Sequence, residues 1–146
     1  MNDPSPNKTE TRMRADSKAE GQRWLAQAER DIDDATYLLE GDRYSLACFV
    51  SQQAAEKAVK AVYQKINKDV WGHSVTEMLD GLKGIFEVSE NLENSAKKLD
   101  KFYILTRYVN GFDSGAPVDY YTQEDSQSAL KAAGEIIEFC KDIVGE

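Results

Sequence analysis

Three groups of polar residues fall where a helical pattern calls for apolar ones, and their types set the chemistry open to them. Asp31 projects between Leu38 and Trp24, inside the apolar stripe of "RWLAQAERDIDDATYLLE". A carboxylate there needs donors or a cation, because leaving it unpaired costs several kcal/mol. Gln52, Lys57, Lys60 and Arg107 are its candidate partners. Two roles stand open for it: a buried hydrogen bond that fixes helix register, or an ion-paired carboxylate of a functional site. In "CFVSQQAAEKAVKAVYQK" the residues Gln53, Glu56, Lys57, Lys60 and Gln64 form a polar strip opposite a broad apolar arc. Glu56 and Lys60 have i,i+4 spacing, so a solvated face with ordinary helix pairs is one reading. A row of cations able to meet phosphate is the other. In "LDKFYILTRY", Asp100 and Arg107 stand two turns apart beside Tyr103. An arginine near a helix end suits phosphate recognition through its planar donor fork, and an Asp100–Arg107 brace along the helix is the alternative.

Other residues add less. Tyr108, Phe112, Tyr120 and Tyr121 make the following linker aromatic, fit either to stack a base or to pack over a bundle end or dimer seam. His73 precedes a helix start in "WGHS", where a histidine commonly hydrogen-bonds backbone, and no acid partner for it stands out in the sequence. There is no Gly-rich phosphate loop, no Gly-x-Ser-x-Gly and no Cys–His pairing. A single histidine argues against a protein-only zinc site, so neither metal nor cofactor is expected.

The elements that must position these residues are helical throughout. Trp24, Leu25, Ala28, Ile32, Ala35, Leu38 and Leu39 share one arc of a first helix, closed by Gly41 as the residue after its cap. A second helix runs from near Tyr44 to about Asn67, and its half-circumference of alanine and valine predicts a central position. Ser74 and Glu77 have capping-box spacing for a short third helix. A fourth follows Ser89, and "TQED" caps a fifth with Leu130, Ala133, Ile136, Ile137, Cys140 and Val144 on its apolar face. Short connections favour antiparallel neighbours. The expected fold is all-α, an antiparallel up-and-down four-helix bundle with an additional short helix.

With 146 residues the chain is one domain, read as a flexible polar tail over residues 1–20 and a bundle over 21–146. Residues 1–22 balance four bases (Lys8, Arg12, Arg14, Lys18) against four acids (Asp3, Glu10, Asp16, Glu20), so the net charge of −8 belongs to the rest. That charge disfavours RNA and anionic membranes as partners, since both require a basic surface. No run approaches the length of a membrane span and the N-terminus has no apolar signal region. Two cysteines inside helical patterns read as free buried thiols, and the expected location is the cytoplasm.

The blocks "ERDIDDATYLLEGDRYSLACFVSQQAAEKAVKAVYQK", "GHSVTEML", "LDKFYILTRYVNG" and "YYTQEDSQSALKAAGEIIEFCKDIV" together resemble a prokaryotic HEPN domain, from about residue 21 to the C-terminus. The resemblance implies the same bundle with its extra short helix, usually as a homodimer. Small stand-alone members resemble substrate-binding or partner subunits of minimal nucleotidyltransferases, often in toxin–antitoxin or stress modules. Other members are metal-independent RNA endonucleases with an Arg-x4-6-His motif, in which arginine steadies the phosphate and histidine transfers the proton. Arg107 matches that arginine, but the histidine positions hold Phe112, Asp113 and Ser114. None of these titrates near neutrality as imidazole does.

The function expected from these observations is a non-catalytic HEPN module that binds a nucleotide-like ligand and a partner nucleotidyltransferase. Asp31, Gln53, Lys57, Lys60, Asp100, Arg107 and Tyr108 are its candidate ligand-binding residues, and no catalytic residue is assigned. The alternatives are a metal-independent RNA endonuclease with a relocated catalytic histidine, His73, and a structural dimerisation adaptor.

Overall fold

The computed structural model describes residues 8–107, 116 and 120–145, with side chains over 16–103, 116 and 120–145. The described residues contain five helices: α1 (Lys8–Glu40), α2 (Tyr44–Lys65), α3 (Val75–Asp80), α4 (Glu90–Arg107) and α5 (Gln123–Val144). The long helices α1, α2, α4 and α5 form the antiparallel bundle, and α3 is the additional short helix bridging α2 to α4. α1 begins at Lys8 and so runs through part of the stretch read as a tail. Its first turns, "KTETRMRADSKAE", contain neither Gly nor Pro to interrupt them.

Local signals end each helix. The chain leaves α1 through a Schellman motif, in which Asp42 N–H bonds Leu39 C=O at 3.0 Å and Arg43 N–H bonds Leu38 C=O at 2.8 Å. The left-handed residue of that motif is Asp42 (φ 61°), not Gly41, and Asn67 (φ 55°) serves the same purpose after α2. Asp and Asn tolerate this conformation better than other non-glycine residues because their short polar side chains bond locally. Ser89 accepts the Leu92 N–H at the start of α4. Thr122 and Asp125 form a reciprocal capping box on α5.

α2 is the central helix and packs against each of the other four. Ala47, Cys48, Ala54, Ala55, Ala58, Val59, Ala61 and Val62 are fully buried along it. Small side chains allow neighbouring backbones to approach, and Gly21 on α1 marks one such close approach. A Cβ added at Gly21 would stand 2.8 Å from the Ala61 carbonyl oxygen. Both cysteines are buried and free. No helix among the described residues is long and apolar enough to cross a membrane.

Candidate ligand-binding site

The polar strip of α2 is not a solvated face. Asp31, on α1, is buried and accepts hydrogen bonds from Gln27 Nε2 at 2.8 Å and from Lys57 Nζ at 2.5 Å. Of its four candidate partners, Lys57 therefore takes the ion pair, with its side chain 30% exposed. One turn further along α2, Lys60 lies 3.5 Å from Glu56 Oε2. Glu56 itself is buried, and its other oxygen stands 2.8 Å from His73 Nδ1. Because a carboxylate only accepts, that contact places a proton on Nδ1. The Glu56 carboxylate thus serves both a cation and the histidine, which corrects the reading of Glu56 and Lys60 as an ordinary surface pair.

Gln52 and Gln53 connect the two halves. Gln53 Nε2 donates to Gln52 Oε1 at 2.6 Å, and Gln52 Nε2 donates to the His73 carbonyl at 3.1 Å. The His73 ring also stacks on Tyr103, with centroids 5.3 Å apart and planes at 22°, and Tyr103 stacks on Phe49 at 6.4 Å. The acid partner of His73 is the contact that sequence reasoning missed. Glu56 precedes His73 by 17 residues across a helix end and a loop, so no local pattern joins them. A helical wheel does place Glu56 beside Gln52 and Tyr63 at the margin of the core arc, which is the available sign.

Asp100 has a different occupation. It accepts from Ser74 Oγ at 2.9 Å, Val75 N–H at 2.8 Å and Thr76 N–H at 3.0 Å, so it caps α3 from α4. Backbone amides that begin a helix have no partner within it, and Asp100 supplies one. The Ser74 side chain adds the Glu77 N–H at 3.1 Å. Asp100 is therefore a structural anchor of the His73 loop. Arg107 is the last residue of α4, but its side chain, like the whole of Tyr108 and of Phe112–Ser114, lies outside the described residues. Of the remaining linker aromatics, Tyr121 is buried against Phe102 with centroids 5.8 Å apart. Burial pushes its hydroxyl pKa up.

The seam between α1 and α2 is open on either side of Lys57. One cleft of about 620 Å³ is lined by Glu20, Arg23, Trp24, Ala26, Gln27 and Lys57. A second of about 510 Å³ is lined by Asp31, Tyr37, Val50, Gln53 and Lys57, among others. Both are shallow depressions open to solvent. Asp31, Gln53 and Lys57 thus meet at the seam, Lys60 lies one turn further along α2 outside both clefts, and Asp100 is not part of the group.

A central polar strip inside a bundle with a short bridging helix defines an all-α helical-bundle domain. The HEPN domain profile matches residues 22–143, and the chain belongs to the HEPN domain family. It is 30% identical over 135 residues to "Putative toxin MJ1304" of Methanocaldococcus jannaschii, covering 84% of this chain and 87% of that protein. Among solved structures it is similar to TT1696 from Thermus thermophilus, with a TM-score of 0.82 at 35% identity, over 85% of this chain and 98% of that one. ST0689, an archaeal HEPN homologue, superposes with a TM-score of 0.74 at 35% identity, over 86% and 98% of the two chains. A HEPN domain protein of Thermotoga maritima does so at 0.69 and 36%, over 85% and 98%.

Proposed function

We propose that this chain is the ligand-binding HEPN subunit of a toxin–antitoxin-type pair, working in the cytoplasm as a homodimer with a minimal nucleotidyltransferase as partner. The observation that carries the ligand-binding reading is the buried charge row on α2, which opens through Lys57 into the two clefts of the α1–α2 seam. An ammonium group has three donors, and Asp31 takes one of those on Lys57. The others remain for a ligand oxygen, with the Gln27 and Gln53 amides to either side. Cationic and amide donors clustered at Lys57 suit the anionic end of a ligand, which is the chemistry of a nucleotide phosphate. The similarity to a protein named as a toxin supports the pairing.

Calorimetry with a panel of ribonucleotides tests the ligand, and copurification from the native host tests the partner. Lys57→Gln should weaken nucleotide binding at least tenfold while leaving the helical content unchanged. Absence of binding by the unaltered protein, together with no copurifying nucleotidyltransferase, would remove this reading in favour of the dimerisation adaptor. RNA cleavage that survives chelators and is lost in His73→Ala would favour the endonuclease instead.

A further inference from the structure

His73 is held more firmly than a loop residue needs for the loop alone. Its ring is fixed by the buried Glu56 carboxylate and its carbonyl by the fully buried Gln52. The loop behind it is pinned to α4 by three hydrogen bonds to Asp100. Despite these restraints the His73 side chain stays 55% exposed. One ring face lies against Tyr103, so the exposure belongs to the opposite face and the edge bearing Nε2. Two residues earlier on the same loop, Trp71 is 88% exposed. Between them Gly72 takes φ +94°, a conformation natural only to glycine, so the chain turns sharply between the two rings.

We propose that the outer face of His73, continuing the Phe49–Tyr103 stack and with the exposed Trp71 two residues away on the same loop, is the stacking subsite for the base of a nucleotide-like ligand. A fixed ring with one open face loses little conformational entropy when a second ring settles on it, and base–aromatic stacking tolerates every base. Nε2 lies in the ring plane and can meet a base edge. Lys60 and Gln53 lie between this subsite and Lys57 on the surface of α2, so base and phosphate would bind on opposite flanks of one strip. This inference rests on the ligand-binding reading above and adds which flank takes the ring.

The test compares four ribonucleoside monophosphates, ribose 5-phosphate and inorganic phosphate by calorimetry on the full chain. The quenching of Trp71 fluorescence is read against a Trp71→Phe blank, because Trp24 also emits. Nucleotides should bind about tenfold or more tightly than ribose 5-phosphate. His73→Ala should erase most of that difference, and Trp71→Ala part of it, with ribose 5-phosphate affinity unchanged in both. Trp71→Ala changes an exposed position, so it reports even if His73→Ala fails to fold. Equal affinity for nucleotide and ribose 5-phosphate, or full nucleotide affinity in Trp71→Ala and any folded His73→Ala, overturns the subsite and leaves the Lys57 site standing. If none of the phosphates binds, the ligand-binding reading falls and this inference with it.

Discussion

Replacing Glu56 is the most direct measure of how much of the polar strip is buried in energy as well as in area. The Glu56 side chain is 6% exposed, and its two oxygens face Lys60 and His73. Removing one partner of a buried ion pair costs about 3–5 kcal/mol, because the other charge is left without compensation. Lys60 keeps 18% exposure and His73 more than half, so both can recover some hydration and the lower end, about 3 kcal/mol, applies to Glu56→Ala. For a domain of this length that corresponds to a fall in Tm of roughly 10 °C. Glu56→Gln keeps the shape and an acceptor for the His73 Nδ1–H but loses the charge opposite Lys60, and should cost about 1–2 kcal/mol. Urea unfolding gives both values directly, provided the m-value stays constant. A double-mutant cycle with His73→Ala should return a coupling of about 1 kcal/mol between the two residues. If Glu56→Ala unfolds within about 0.5 kcal/mol of the unaltered protein, the typical range of a surface substitution, the strip is a solvated face and the reasoning from buried charge is wrong.

Gly21→Ala should destabilise by about 1–3 kcal/mol through overpacking against the Ala61 carbonyl, although alanine gains about 1 kcal/mol in an unstrained helix; a rise in Tm would mean that α1 shifts freely. Asp100→Ala should cost about 1–2 kcal/mol as the loss of a helix cap, with faster hydrogen exchange at the Val75 and Thr76 amides as its local signature and unchanged exchange there as the contrary result. Burial pushes the Cys48 thiol pKa up from 9.0 to about 12. The folded state therefore holds that proton more tightly than the unfolded state. Its contribution is fully present below about pH 9 and is lost as pH rises toward the folded value. Stability measured across that window should decline less in Cys48→Ala, and an identical decline would assign the loss to other groups such as Cys140 and Tyr121.

The bundle is legible in the sequence because each helix carries its own apolar period, and the ends carry their own cap residues. Ser89 and Thr122 act within three residues of the amides they satisfy, so their roles can be read locally. Asp31 is legible for a related reason: a carboxylate inside an apolar stripe contradicts its surroundings and so announces a partner. What lies beyond local pattern is the choice among partners. Asp100 binds backbone amides 24 and 25 residues away, and backbone donors leave no trace in residue type. Glu56 has an i,i+4 lysine that explains it sufficiently on paper, and this local explanation conceals the longer contact with His73. The turn after α1 shows the opposite error, where the glycine looks like the left-handed residue and the neighbouring Asp42 adopts that conformation instead.

The charge row itself bears on whether α2 serves stability alone. Asp31, Glu56, Lys57 and Lys60 place two carboxylates and two ammonium groups where the side chains are 30% exposed or less. Withdrawing such groups from water costs several kcal/mol per ion, and well-packed apolar residues at the same sites are often equally stable or more so. The same helix shows that apolar packing is available to it, since eight of its small residues are already fully buried. Four charges with Gln52 and Gln53 between them are therefore a poor solution to packing, and on the proposed ligand-binding reading they serve recognition, because each leaves a donor or acceptor fixed in direction by a neighbour. Lys57 faces the open seam, His73 faces solvent above its stack, and Lys60 and Gln53 lie between. That order follows the surface of α2 from the α1 seam to the loop that carries His73, so the proposed recognition face is built on the central helix and completed by that loop.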